Sequence, residues 1–246
     1  AGMAGASLAA GLAGRARVLL IEAEDRPGYH ATGRSAAFWH ESYGGPGVKP
    51  LTTASGPELR ALGVLSARGA LTIGRTDQEA EVERFCATFS AIGVDCQRVG
   101  RDVLEEWIPG LRAGWSHGAL EPQCSDIDVA ALHQHYLAEA SGYGADLWCR
   151  ADLTGAERTV RGWRLSLADG RTADCAVLAN AAGAWADELA ALAGDIARLA
   201  PATPMASKPP STAICAEVGT DRKSAQRSPP KARTSRASVE PVKSSP

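Results

Sequence analysis

A helix built almost wholly of glycine, alanine and leucine, "MAGASLAAGLA" (3–13), runs into an apolar stretch, "RVLLIEAE" (17–24), that stops on acids. Side chains that small let a helix lie close on a strand, and a run of Val18, Leu19, Leu20 and Ile21 without polar alternation describes a strand buried on both faces, as in a parallel sheet. A dinucleotide-binding unit needs three glycines after its first strand: one for the turn, one for backbone approach to the pyrophosphate and one for helix packing. In "AGMAGA" the second and third are Gly2 and Gly5, and the first falls one residue ahead of Ala1. We therefore expect the first strand and its turn glycine to be missing. Glu22 ends the following strand 20 residues beyond Gly2, where a carboxylate can accept hydrogen bonds from the adenosine ribose. To this point NAD and FAD serve equally well.

The chain of 246 residues is 45% apolar, enough for one large or two small cores. Its net charge of -2 is unevenly spread. Residues 201–246 carry eight Lys/Arg against three Asp/Glu, so the rest is strongly acidic. The six cysteines include no C-x-x-C pair and no zinc spacing with histidine, so we expect reduced thiols, no metal and a cytoplasmic location with at most peripheral contact with an inner membrane. No run approaches the roughly 18 apolar residues of a membrane span, and the opening lacks the basic leader of a signal peptide.

Along the chain, a Gly-rich polar stretch (25–47) is too long for a simple turn and reads as a ligand-touching loop. The pattern predicts a strand over 69–74, helices over 77–93, 102–111 and 126–145, and strands within 146–153, 162–170 and 172–183, with "ADG" as a hairpin turn. A last helix closes at Gly194. Residues 201–246 hold eight Pro and eight Ser but no Leu, Phe, Trp or Tyr, a composition expected to be disordered.

"VLLIEAEDRPGYHATGRSAAFW", with its "TGRSAA" block at 32–37, resembles the FAD-dependent amino acid oxidases and dehydrogenases. That group contains D-amino-acid oxidase, glycine oxidase and sarcosine oxidase. "YGGPGVKPLTTAS" (43–55), "DIDVAALHQHYL" (126–137) and "VLANAAGAWADELAALAG" (177–194) follow in order, most similar to bacterial D-arginine dehydrogenase-like flavoproteins. The resemblance implies an α/β fold. A Rossmann-like FAD-binding domain without its first strand (1–45 and 144–200) would join part of an α+β substrate domain (46–143), ahead of a disordered, frameshifted or misassembled tail (201–246).

By that resemblance FAD would be held by Gly2, Ala4, Gly5, Glu22, Ala23, Thr32, Gly33, Arg34, Ser35, Ala36, Ala37, Leu153, Ala182, Gly183 and Trp185. Ser35 would open a helix whose N-terminal dipole favours an anion, Leu153 would meet the adenine through its backbone, and "NAAGAW" would supply a second backbone turn. The implied chemistry is oxidation of the C–N bond of a D-amino acid or related amine by hydride transfer to flavin N5, with the electron acceptor left open. No catalytic protein group is assigned. Tyr43 would lie in a mobile loop over the substrate, His30 and His40 flank the flavin loop as surface residues, and His133 and His135 are structural.

Two departures bear on specificity. The arginine-active relatives would have His where this chain has Phe38, and an acid near Ala70, so a neutral or apolar D-amino acid, or another secondary amine, fits better than a basic one. Without the second half of its relatives the chain is expected to be an inactive fragment. The alternatives are a NAD-binding dehydrogenase and a non-enzymatic protein whose tail, "KSAQRSPPKARTSR", contacts nucleic acid through phosphates. Without aromatic residues for base stacking, no nucleic-acid partner is expected.

Overall fold

The computed structural model describes residues 1–194 and the backbone of 212–217. Helix α1 (Met3–Ala13) leads into β1 (Arg17–Glu22), and a 3-10 turn at Thr32–Arg34 leads into β2 (Ala37–Trp39). Next come α2 (Lys49–Ala61), β3 (Leu65–Ala67), β4 (Ala70–Arg75), α3 (Glu79–Ser90), β5 (Gln97–Gly100) and α4 (Arg101–Trp107). Strands β6 (Trp115–Glu121) and β7 (Ser125–Ile127) precede α5 (Val129–Gly142) and β8 (Asp146–Trp148). The described part ends with β9 (Leu153–Thr159), β10 (Gly162–Leu167), β11 (Thr172–Cys175), β12 (Val177–Asn180), α6 (Ala186–Leu192) and β13 (Thr212–Glu217).

The four-stranded sheet runs β12-β13-β1-β8. β1 and β8 are parallel, while β13 is antiparallel to both β1 and β12, so β12, β1 and β8 share one direction. Because side chains alternate along a strand, β1 feeds two cores. Val18 and Leu20 pack under α1 with Ala9, Ala10, Ala13 and Ala140, the last from α5. Ile21 faces the other way, onto Leu153, Leu165, Leu167, Ala182 and Leu189. Burial on both faces explains the unbroken apolar run. Three further sheets, β11-β10-β9, β2-β7-β3 and β4-β6-β5, complete the described part. α3 covers the last of them through Val82, Cys86 and Phe89.

The structure corrects the disordered reading of 201–246 at Thr212–Glu217, which form β13 in register with β1 from Arg17↔Glu217 to Glu22↔Thr212. Backbone pairing on both edges, with β1 and with β12, supplies what the composition of the whole segment concealed. The remainder of 201–246 lies outside the described residues, as does the side chain of Cys215. Helix α2 has no counterpart in the sequence reading because Pro57 sits inside it. The expected strand over 146–153 divides into β8 and β9, with Arg150 between them at φ 50°. The expected helix over 126–145 starts later: Asp126 and Ile127 belong to β7, and the Asp128 carboxylate caps α5 by accepting from Ala131 N at 2.9 Å.

Candidate cofactor site

One cavity of about 430 Å³ lies where α1, the end of β1 and the turn after β12 converge, at the carboxyl ends of the parallel strands. Its wall includes Gly2, Ala4, Glu22, residues 28–32, Arg34 and residues 181–185. Gly2 is the extended residue just ahead of α1, and Met3 N donates to Thr32 Oγ1 at 2.9 Å, so the "TGR" turn caps the first turn of that helix. A Cβ on Gly2 would stand 3.0 Å from the same hydroxyl.

The loop over the cavity is closed by backbone. Gly28 N donates to Ala1 O at 3.0 Å, and Gly33 N donates to Gly28 O at 2.7 Å. Gly28 has φ +73°, and a side chain there would strike His133, whose Nε2 also donates to Ala1 O at 3.0 Å. Aromatic rings line the same loop. His30 packs on Trp185 at 4.7 Å and pairs with Glu24 at 2.8 Å, while the guanidinium groups of Arg26 and Arg34 lie 5.2 and 5.4 Å from the Tyr29 ring.

Glu22 is buried, with Oε1 accepting from Glu24 N at 3.0 Å. Across the cavity, "NAAGAW" has the expected form: β12, a 3-10 turn at Gly183–Trp185, then α6. Gly183 has φ +59°, and a Cβ there would meet nothing within 4 Å, so its backbone borders open space in the cavity wall. A helix start, a buried carboxylate and an open glycine turn are donors and acceptors that a dinucleotide can use.

The expected cofactor residues divide. Gly2, Ala4, Glu22, Thr32, Arg34, Ala182, Gly183 and Trp185 line the cavity. Gly5 is buried in α1, Ala23 is half-buried beyond β1, Ala36 is exposed and Ala37 begins β2. Gly33 and Ser35 instead line a second cavity of about 650 Å³ with Arg26, Asp128 and His133. Ser35 does not open a helix. It follows the 3-10 turn in extended conformation and leads into β2, because β2 is claimed by pairing with β7. Leu153 is a core residue beside Ile21 at the start of β9 and is not among the residues lining the cavity.

On the substrate side, Tyr43 is 70% exposed with its ring edge-on to Phe38 at 6.0 Å, and it does not line the 430 Å³ cavity. His40 and His30 are half-buried and bonded, contrary to the surface reading. His40 Nε2 lies 2.8 Å from Glu121 Oε1, and Ser42 Oγ donates to that same oxygen at 2.6 Å. Burial raises the pKa of Glu121, but hydrogen bonds from His40 and Ser42 and the charge of His40 together hold it below the ordinary value. Glu121 is the cross-strand partner of Ala70, so a carboxylate does stand beside Ala70, one strand over. The sequence reading missed Glu121 and Ser42. Their only trace was a polar residue at a strand end and another inside a loop.

The family described as DAO, FAD dependent oxidoreductase, matches residues 1–227. The chain belongs to that family. Its fold is similar to glycine oxidase from Geobacillus kaustophilus (TM-score 0.69, 23% identity, 78% of this chain and 56% of that one). It is also similar to L-proline dehydrogenase from P. horikoshii (0.70, 20%, 81% and 55%). A third likeness is to L-alpha-glycerophosphate oxidase from Mycoplasma pneumoniae with FAD bound (0.65, 17%, 78% and 55%). The chain thus spans little more than half the length of these structures. The cofactor of the family is FAD, which sets aside the NAD alternative. The basic segment 223–236, on which a nucleic-acid reading rested, lies outside the described residues. Among the described residues no helix is long and apolar enough to cross a membrane.

Proposed function

We propose that this chain is the cofactor-holding part of an FAD-dependent oxidoreductase that oxidises the C–N bond of a D-amino acid or a related amine. The observation that carries the reading is the convergence of Gly2 ahead of α1, the Glu22 carboxylate and the Gly183 turn on one cavity. In this reading the α1 N-terminus and the Gly183 turn bind the pyrophosphate and flavin through backbone N–H groups, and Glu22 accepts from the ribose hydroxyls. Bound FAD supplies the acceptor for the hydride that leaves the carbon bearing the amine. Residues 28–34 close over the cofactor and exclude water, and Tyr43 faces the substrate. With Phe38 on that side, where the cation-active relatives would have His, the site favours a neutral or apolar substrate over a cationic one.

The test is the absorbance of the purified chain near about 370 and 450 nm, where oxidised flavin absorbs, after loading with FAD and removing the excess. A retained flavin spectrum bleached anaerobically by a neutral D-amino acid supports the proposal. A chain that retains no flavin refutes it, and a bound flavin reduced by a cationic amino acid but by no neutral one refutes the substrate assignment.

A further inference from the structure

A buried carboxylate with two side-chain donors is costly to assemble and usually has a task. Glu121 ends β6 at the turn to β7, where two small sheets meet: Arg68 N and Gly69 N, between β3 and β4, both donate to Cys124 O at 3.2 and 2.8 Å. From this junction the carboxylate reaches across to Ser42 and His40, which are 7% and about one-eighth exposed at residue and side chain respectively. Ser42 Oγ also lies 3.1 Å from His40 Nε2, so the three polar groups close a triangle.

This is not a nucleophile triad. The hydroxyl donates to the carboxylate itself, and both oxygens meet the same imidazole nitrogen, whereas a triad needs the acid on one nitrogen and the hydroxyl on the other. The triangle sits at the foot of a turn. Tyr43 N donates to His40 O at 3.3 Å, Gly45 N to Ser42 O at 3.1 Å, and the exposed Tyr43 ring leans on Phe38. Beyond it, Gly44 and Gly45 both have positive φ. The last fixed point before those glycines is Ser42.

We propose that Glu121 is a positioning residue: by holding Ser42 and His40 it fixes the direction of Tyr43, and so the wall that the substrate meets. The part concerning substrate rests on the function proposed above; the clamp itself does not. Side-chain hydrogen bonds to an ionised group are among the stronger ones, and two of them converge on one oxygen.

The test uses the full chain labelled with 3-fluorotyrosine at Tyr29, Tyr43, Tyr136 and Tyr143, with the Tyr43 fluorine resonance assigned through Tyr43→Phe. The expected result is a Tyr43 line displaced from free 3-fluorotyrosine in the parent chain. That displacement is lost in Ser42→Ala and Glu121→Gln and regained in Ser42→Thr, while the Tyr29 and Tyr136 lines stay in place. An unchanged Tyr43 line in either Ser42→Ala or Glu121→Gln overturns the proposal. So does collapse of all four lines in both variants, which would make the cluster a general support of the fold. Adding FAD and a neutral D-amino acid then tests the other reading: a clamp that behaves as described with no movement of the Tyr43 line refutes the substrate role of Tyr43 alone.

Discussion

Replacing Gly33 by Ala places a methyl group 2.5 Å from the carbonyl oxygen of Gly28, the same oxygen that accepts the Gly33 N–H at 2.7 Å. Carbon and oxygen rarely approach closer than about 3.3 Å, so this backbone must open by about 0.8 Å, which breaks that hydrogen bond. Overpacking of this kind costs about 1–3 kcal/mol and the lost bond about 1 kcal/mol. The displaced segment carries Thr32, which caps α1 at the mouth of the cavity, so the change reshapes the proposed cofactor site. If about 2 kcal/mol reaches binding, FAD affinity falls about 30-fold. Titration of the apo chain with FAD, followed by flavin fluorescence, measures this directly. Gly11→Ala is the control: it lies exposed within α1 with nothing within 4 Å of the new methyl, so it raises helix stability by about 1 kcal/mol and leaves affinity unchanged. A Gly33→Ala chain that binds FAD within twofold of the parent would refute the reasoning, because the loop would then tolerate the closest backbone contact in the site.

Leu165→Ala empties a fully buried position beside Ile21 and Leu189 and lowers stability by about 2–5 kcal/mol, read from urea midpoints. Because Glu121 titrates below its ordinary value of 4.5 in the folded chain, its contribution is present above that value and is lost as pH falls through the folded one. The stability difference between the parent and Glu121→Gln therefore shrinks as pH falls below about 4.5, as urea midpoints across pH will show. Burial, with Cys86 Sγ 3.5 Å away, pushes the Cys96 thiol up to about 12. Iodoacetamide at about pH 8 should thus spare Cys96 in the native chain and alkylate it in urea, as peptide masses will report.

The amino-acid order by itself determined α1, β1, the acid at Glu22, the "NAAGAW" turn and helices α3 and α5, because each is written in a local pattern. Small residues permit close packing, an unbroken apolar run marks a strand covered on both faces, and an aspartate or a glycine marks a helix end. Gly2 and Gly183, two glycines singled out in the sequence, do lie on the cavity wall, while Gly5 and Gly33 do not. Tertiary structure alone decided the rest. α2 forms despite Pro57, the three-residue strands β2, β3 and β7 exist only as partners of one another, and β13 emerges from a Pro- and Ser-rich segment through backbone pairing with β1 and β12. Ser35 shows the same limit: a residue placed to start a helix enters a strand because β7 is there to receive it. Glu121 shows it most plainly, for its partners His40 and Ser42 are 81 and 79 residues away. No local period encodes such a contact. Folding brings the three groups together, and burial then makes their hydrogen bonds matter.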